Sequence, residues 1–234
     1  MQDYFKKISD LLFNALERSE ILILNFDAEE TDFVRYNKSK IRQAGRVHQI
    51  SLDLNLIKKG KTLRSSLRLS TEYDKDKTLL VRTLFFLRRE VNELPKDPYL
   101  IYEKKINSSN SIDDQGLNAQ EMSTRILDLS SHHDMVGILS SGKIVKGFAN
   151  SLGQFNWHES DSFNFDWSLY DDNGKAVKQN YADRKWNQDT FRRLYAESAE
   201  QLSVISNEEQ KIKPGSYRVY LSPSALNEII EMMS

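Results

Sequence analysis

The 234-residue chain contains no cysteine, only four prolines and nine glycines, and no excess of charge of either sign. The absence of cysteine excludes disulfide bonds, iron–sulfur clusters, thiolate zinc sites and a cysteine nucleophile within the chain. With 33 basic and 34 acidic residues, the chain also lacks the basic excess that nucleic-acid binders usually carry. Its apolar runs are short and its N-terminus has no signal-peptide core, so we expect a cytoplasmic protein without membrane spans.

The composition that is present is typical of a folded domain. Hydrophobic residues make up 39% of the chain and charged residues 29%. A chain of this length can bury a sizeable core as one large domain or two small ones.

The first half of the sequence predicts a helix, a set of strands and a second helix. Apolar spacing predicts a helix over residues 4–15, and short strands are predicted at residues 20–27 and 32–37. Strict alternation on both sides of a turn at residues 58–61 predicts a β-hairpin with one buried face. A helix over residues 76–94 follows.

The segment 95–116 is rich in serine, asparagine and aspartate. We predict that it is a surface loop and a subdomain boundary.

The second half repeats the order of helix, strands and helix, offset by roughly 115 residues. Asn118 and Glu121 predict the capped start of a helix. A hairpin is predicted around Ser141-Gly142-Lys143. Further strands are predicted near residues 154–158, 163–170 and 176–186, with a turn at Asp172-Asn173-Gly174, before a helix that contains Phe191 and Leu202.

The C-terminal segment has its own pattern. Tyr217, Val219 and Leu221 alternate as in a strand, and Ser222-Pro223 predicts the start of an amphipathic helix. Because no helix stop signal follows, we expect residues 222–234 to begin a helix that leads into a further, C-terminal domain.

The histidines give little support for a metal site. His158-Glu159 is the only His-Glu pair, and a zinc-binding His-Glu-x-x-His helix would need a second histidine where Ser162 or Phe163 stands. The alternation around His158 also predicts a strand rather than a helix. His132-His133 is interpreted as a solvated helix end.

Other candidate chemistry has an equally plain structural interpretation. Ser140-Ser141-Gly142-Lys143 is a turn-like sequence without a nucleophile motif, and no phosphate-binding glycine loop occurs. Acid–base catalysis would need two carboxyl groups with separated pKa values, which a sequence does not reveal. Three further groups of residues each allow two interpretations. Carboxylates in strands and turns could act as acids and bases or be solvated, a basic hairpin surface could bind phosphate or protect a sheet edge, and aromatic residues could line a groove or form a core. They are Asp161, Asp166, Asp171, Asp172, Asp183; Lys58, Lys59, Lys61, Arg64, Arg68; and Phe155, Trp157, Phe163, Phe165, Trp167, Tyr170.

Three segments together resemble the N-terminal region of the TldD/PmbA family. They are residues 31–56 (TDFVRYNKSKIRQAGRVHQISLDLNL), 147–157 (GFANSLGQFNW) and 213–230 (KPGSYRVYLSPSALNEII), in the order and spacing of that family. The resemblance implies an N-terminal domain over residues 1–221, with antiparallel hairpins and meanders packed against about five helices. After its hairpin the sequence departs from the family pattern, which leaves the subfamily open.

The resemblance also implies a function for the whole protein. TldD-type members are zinc metallopeptidases whose His-Glu-x-x-x-His helix lies in the C-terminal domain, and older naming calls PmbA a modulator of DNA gyrase. The chain would then shape the substrate channel and subunit interface, with zinc in the missing domain and an extended peptide as substrate.

Three alternatives remain open at this point. The chain could belong to a catalytic subunit, or to a non-catalytic PmbA/TldE-like subunit that binds a partner or a peptide in a homo- or heterodimer. A nucleic-acid-binding role would require a strong dependence on salt. No catalytic, cofactor-binding or metal-binding residue is assigned within the chain, so its status as an enzyme depends on the resemblance alone.

Overall fold

The computed structural model describes residues 1–102, 106–112, 117–208 and 211–233. Within these ranges the chain forms one seven-stranded β-sheet and five α-helices, which confirms the predicted α+β class. The strands are β1 (Glu20–Asn37), β2 (Lys40–Lys58), β3 (Lys61–Arg68), β4 (Ser108–Ile112), β5 (Asp134–Asn150), β6 (Phe155–Tyr170) and β7 (Ala176–Asp183). The helices are α1 (Gln2–Asn14), α2 (Tyr73–Glu90), α3 (Ala119–Ser130), α4 (Gln188–Ile205) and α5 (Pro223–Glu231), with a short 3-10 turn at Val91–Glu93.

The sheet joins two similar halves. Its strand order is β3-β2-β1-β5-β6, and β4 and β7 both pair with the outer edge of β6. Each half consists of a helix, a three-stranded antiparallel meander and a second helix, and corresponding elements start about 115 residues apart. The predicted repetition is therefore confirmed. The innermost strands, β1 and β5, pair antiparallel and connect the halves.

The four longer helices, α1 to α4, all pack on one face of the sheet. The long strands bury apolar side chains at alternate positions, and these side chains all point to that face. In β1 the buried apolar residues Leu22, Leu24, Phe26, Val34 and Tyr36 all have even numbers, so they point to the same side. Leu22, Leu24 and Phe26 pack with α1 and α2 in one core, and Val34 and Tyr36 pack with α3 and α4 in a second core. The opposite face receives none of these helices.

Several predicted strands are in fact parts of longer strands. Residues 20–27 and 32–37 belong to the single strand β1, and residues 154–158 and 163–170 belong to β6. The predicted breaks were wrong because polar residues such as Glu29 and Glu30 lie in the middle of β1. Their backbone pairs with β2 and β5 on either side while their side chains reach solvent.

The predicted hairpin around Ser141-Gly142-Lys143 is also wrong. Gly142 lies in the middle of β5, paired with Thr31 on one side and Ser162 on the other. A Cβ atom at this position would collide with the carbonyl of Glu30 and lie 2.7 Å from the Cα of Thr31. The glycine is therefore required for close approach of β5 to β1, and not for a turn.

The local signals at element ends are confirmed. The turn between β2 and β3 falls at Lys59-Gly60, where both residues have positive φ, and the turn at residues 172–174 connects β6 to β7. Asn118 and Glu121 form the predicted capping box of α3, and the hydroxyl of Ser222 caps α5.

Two other expectations need correction. The segment 95–116 contains β4 at Ser108–Ile112, although residues 103–105 and 113–116 lie outside the described part. No strand forms at Tyr217–Leu221, because no described strand runs beside this segment and its apolar side chains are exposed.

A buried carboxylate connects the first half internally. The side chain of Glu20 is fully buried and accepts hydrogen bonds from Arg88 at 2.8 Å, from Lys58 at 3.1 Å and from the backbone N–H of Glu17 at 2.9 Å. Burial raises its pKa, but these donors lower it more, so the pKa falls from 4.5 to about 2. Glu20 thus holds α2 against the β2–β3 hairpin as an anion.

We expect Glu20→Gln to destabilise the fold by about 3 kcal/mol, since Arg88 and Lys58 would lose their buried partner. Because the folded-state pKa lies below the ordinary value, the stabilisation by Glu20 is complete above about pH 4.5 and is lost as the pH falls through about 2. Urea unfolding across this pH range measures both effects. The control Glu17→Gln, at a side chain that is 57% exposed, should change stability by less than about 1 kcal/mol. Equal losses in the two variants would contradict this account.

We expect Gly142→Ala to destabilise the fold by about 2 kcal/mol or more, because its methyl group has no space against the β1 backbone. Thermal unfolding of this variant and of the neighbouring Ser141→Ala tests the point. A loss of stability no larger than that of Ser141→Ala would show that β1 and β5 do not approach as closely as described.

Candidate functional site

The candidate site is the sheet face opposite the helices, called here the open face. It is lined by the odd-numbered residues of β1 and β2 and by the even-numbered residues of β5 and β6, which alternate with the buried residues of the same strands. No described helix packs on it, and most of its side chains are partly exposed. The open face therefore presents side chains of four long strands to solvent.

Polar side chains form a ladder across the first three strands of the open face. Arg68 on β3 donates to Gln49 on β2 at 3.0 Å, and Gln49 donates to Glu29 on β1 at 2.7 Å. Beside this ladder, Asp53 accepts hydrogen bonds from Arg64 and from the hydroxyl of Ser66. Each charge is thus matched by a partner on the neighbouring strand.

The centre of the open face lies where the two halves meet. Asp27 on β1 forms an ion pair with Lys146 on β5, and both residues are partly exposed. Two shallow grooves of about 540 and 520 Å³ share this ion pair. One extends toward Arg68 and Gln49, and the other toward His158 and Asn156.

The second half continues the open face with neutral and acidic groups. Asn180 on β7 donates to Asn164 at 2.6 Å and to Asp166 at 2.8 Å, and Asn164 also donates to Asp166 at 2.7 Å. The open face therefore carries paired arginine side chains toward β3 and an asparagine–aspartate cluster toward β7.

The environment of Asp53 keeps it charged. Burial raises its pKa, but the hydrogen bonds from Ser66 and Arg64 and the positive charge of Arg64 lower it more, so the pKa lies below the usual range. A carboxylate held in this way acts as an acceptor and not as a proton donor near neutral pH.

The predicted strand around His158 is confirmed, and its geometry separates the two side chains of the His-Glu pair. His158 and Glu159 are adjacent on β6, so their side chains point to opposite faces of the sheet. His158 is exposed on the open face, whereas Glu159 pairs with Lys143 at 2.9 Å on the helix side. The two side chains therefore cannot coordinate the same ion. Over the described ranges, no cluster of three or more histidine or carboxylate side chains could hold a metal.

The other histidine pair follows the end of α3, as predicted. The Nδ1 atom of His133 lies 3.2 Å from the hydroxyl of Tyr195 on α4, and its carbonyl accepts from Ser39 at 2.6 Å. These contacts join α3, α4 and the β1–β2 turn, a structural role.

The basic hairpin residues are largely paired within the chain. Lys58 binds Glu17 and Glu20, and Lys61 donates to the carbonyl of Asn92 at 2.5 Å. Arg64 and Arg68 belong to the open-face contacts above. This pairing leaves few of the predicted basic residues available for phosphate.

Four of the six predicted aromatic residues form a core, as the plainer interpretation predicts, whereas Phe155 is half-buried against that core and Tyr170 is exposed. Trp157, Phe163, Phe165 and Trp167 are buried, and they point to the helix side of β6. Among the predicted carboxylates, Asp171 binds the turn that follows β6 through Asn173 and Lys175, and it accepts from Ser206 at 2.7 Å, which lowers its pKa.

Sequence reasoning missed Asp27, Glu29, Gln49 and Lys146 as members of one surface. The signal available was the polar residue at every second position from Asn25 to Glu29. A strand over residues 20–27 is predicted from the sequence, but no exposed polar face is assigned to it.

Neither the family models nor the curated proteins searched match this chain. Solved structures do match its fold. A candidate modulator of DNA gyrase from Bacteroides thetaiotaomicron matches with a TM-score of 0.67 and 11% identity, over 99% of this chain and 56% of that chain. TldE from Thermococcus kodakarensis matches with a TM-score of 0.59 and 8% identity, over 86% of this chain and 47% of that one.

A third structure, a candidate modulator of a DNA gyrase from Thermotoga maritima, matches with a TM-score of 0.56 and 15% identity, over 84% of this chain and 48% of that one. The chain has the TldD/PmbA-type fold. The resemblance found in the three sequence segments is thus confirmed for the fold, and the chain spans about half the length of each of these proteins. Within the described residues, no helix has the length and apolar character needed to cross a bilayer.

We expect Arg64→Gln to raise the pKa of Asp53, because the variant removes a charged donor from its carboxylate. Carboxyl-carbon NMR titration measures this pKa directly. The matched control is Arg68→Gln, which removes a similar charge that contacts Gln49 and not Asp53. A wild-type pKa at or above the ordinary 3.8, or equal shifts in both variants, would contradict the described contacts.

Proposed function

We propose that this chain is the N-terminal part of a TldD/PmbA-type protein, and that its open face shapes the path of an extended polypeptide. The proposal rests on one observation: a seven-stranded sheet with helices on one side leaves its other side free, in a fold that accounts for about half of each matched protein. Hydrolysis would take place on the part of the protein that follows residue 234. The domain range 1–221, the C-terminal partner domain and a cytoplasmic location belong to this proposal.

The chemistry of the open face suits an extended chain. Gln49, Ser51, Ser66 and Arg68 line one groove with hydrogen-bond donors and acceptors, which are the groups that an extended peptide backbone requires. The Asp27–Lys146 pair at the centre adds both signs of charge within one groove. These groups would position a peptide without selecting one sequence.

Zinc is assigned by this proposal to the C-terminal part and not to this chain. The four histidines are His48, His132, His133 and His158, and the described carboxylates do not form a ligand cluster with them. The residues present therefore do not fit the metal, and the role of this chain is limited to binding and orientation.

The C-terminal segment supports attachment to further structure. Val219, Tyr220, Met232 and Met233 are 70–88% exposed, and Ile230 is 54% exposed. Folded proteins bury contiguous apolar surface of this kind against a partner element. We propose that residues 217–233 pack against the C-terminal domain.

The second candidate is a non-catalytic TldE-like subunit that binds a catalytic TldD/PmbA-type partner. The match to TldE over 86% of this chain favours it. Both candidates place the same open face beside a polypeptide, and they differ in which subunit would hold the zinc. A homodimer would suit the first candidate and a heterodimer the second.

The test is hydrolysis of unfolded casein by the full-length protein, alone and together with its co-purifying partner. We expect activity that a zinc chelator abolishes. Asp27→Lys, which places a like charge beside Lys146, should raise KM by about tenfold with little change in kcat, since it disturbs binding and not chemistry.

The control is Asp172→Lys, an exposed residue of the turn between β6 and β7, which should leave KM unchanged. Activity of the protein alone would favour the catalytic candidate, and activity only with the partner would favour the TldE-like candidate. If no combination hydrolyses casein, or if Asp27→Lys behaves like Asp172→Lys, the proposed function is wrong.

A further inference from the structure

The two halves of the sheet differ at their outer edges. The outer edge of β6 pairs with β7 over Phe163–Tyr170 and with β4 over Asn156–Ser160. The outer edge of β2 pairs with β3 only over Ser51–Lys58. The first part of β2, from Lys40 to Gln49, has no outer partner among the described strands.

Aligning the strand registers of the two halves shows which residues of β2 lack the outer partner that β6 has. Leu52 of β2 lies opposite Leu67 of β3, and Phe165 of β6 lies opposite Tyr181 of β7, with all four side chains on the helix side. With Leu52 placed on Phe165, the stretch of β6 that pairs with β4 corresponds to residues 43–47 of β2. In the second half, β4 covers this position. In the first half the corresponding residues 43–47 have no outer partner among the described strands, and they are called here the β2 edge.

The backbone of the β2 edge is oriented for strand pairing. The carbonyl of Ile50 accepts from the N–H of Leu69 at 2.9 Å, on the outer side of β2. Because successive residues alternate in direction, the N–H and C=O groups of His48, Arg46 and Ala44 point to the same outer side. No described backbone group meets them there, so they are available to a further strand.

The side chains at this edge carry positive charge. Arg46 lies within the edge, Lys40, Arg42 and His48 lie beside it, and all four are exposed. Arg46 forms a two-fold hydrogen bond to Asp32 at 2.7 and 2.9 Å, and the carboxylate of Glu30 also acts on its charge. Ala44 is small and exposed at the centre of the edge, so a second backbone can approach it closely.

We propose that the β2 edge binds an extended, acidic peptide segment of another polypeptide, which adds to the sheet parallel to β2. The parallel direction follows from β4, which pairs parallel to β6 at the corresponding position. The acidic character follows from charge complementarity with the exposed basic side chains. A second copy of this chain is disfavoured as the occupant, because pairing two β2 edges would bring like charges together.

This inference deepens the proposed function and rests on it for the extended form of the partner. It concerns a different surface, since the β2 edge lies at the rim of the sheet and the grooves of the open face lie at its centre. The two can therefore fail independently.

The test is fluorescence anisotropy with a labelled peptide of about eight residues in which glutamate alternates with valine, added to the 234-residue chain. We expect binding that Ala44→Pro weakens by about tenfold or more, because proline removes an outward N–H and blocks the edge. Arg42→Glu should weaken binding of the same peptide, and a peptide with lysine in place of glutamate should bind less well to the wild-type chain.

The matched control is Ala44→Thr, which keeps the N–H and suits a strand, and which should bind as the wild type does. Hydrogen exchange should show protection of the Ala44 and Arg46 amides when the peptide is bound. Thermal unfolding of each variant verifies that it is folded.

Absence of binding by the wild-type chain, or binding by Ala44→Pro equal to that of Ala44→Thr, would overturn the inference. So would peptide binding that leaves the exchange of the Ala44 and Arg46 amides unchanged. Self-association of the wild-type chain that Ala44→Pro abolishes would overturn the acidic peptide in favour of a second copy. A loss of peptide binding at the β2 edge leaves the casein assay unaffected as a test of the proposed function.

Discussion

The antiparallel pairing of β1 with β5 is the contact on which the rest of the molecule depends. It extends from Ile23–Asn150 to Tyr36–Gly137 and is the main connection between the two halves. Gly142 permits it, because any side chain there would collide with the β1 backbone. Since even-numbered residues of β1 are buried both over residues 20–28 and at Val34 and Tyr36, the strand places the helices of both halves on the same side.

That constraint explains why one face is free and why its side chains are polar. A strand that contributes Leu24 and Phe26 to a core must turn Asn25 and Asp27 to the other side. Two cores thus share one sheet, and the ion pair between Asp27 and Lys146 lies where the halves meet. These polar side chains help to fix the register of the strands, because a one-residue slip would move them into the core and the apolar side chains into water.

The halves are alike in their helices and meanders and unlike at their edges. The same outer position is filled by β4 in the second half and left open at the β2 edge in the first. An unpaired strand invites uncontrolled association, and the basic side chains on β2 oppose it. Selective binding and protection from aggregation can therefore come from the same residues.

The sequence predicts features that depend on neighbouring residues better than features that depend on residues far apart in the chain. The capping pair Asn118–Glu121 and the Lys59-Gly60 turn are local, and both were predicted. Gly142 was predicted to lie in a turn, and the strand was predicted to stop between residues 27 and 32, where Glu29 and Glu30 lie. Both regions are hydrogen-bonded to strands on either side, and these neighbouring strands keep the backbone extended despite the local sequence. The open face could not be predicted, since Asp27 and Lys146 are 119 residues apart and meet only through the β1–β5 register.

The register of β1 on β5 can be measured directly by engineered disulfide formation, on a background without native cysteine. Glu29→Cys and Ile144→Cys are register partners on the open face. We predict that this pair oxidises rapidly in the folded protein and preserves its melting temperature, whereas Glu29→Cys with Ile138→Cys does not form a disulfide. Rapid oxidation of the second pair, or failure of the first in the folded state, would contradict a single sheet that joins both halves and leaves one face free.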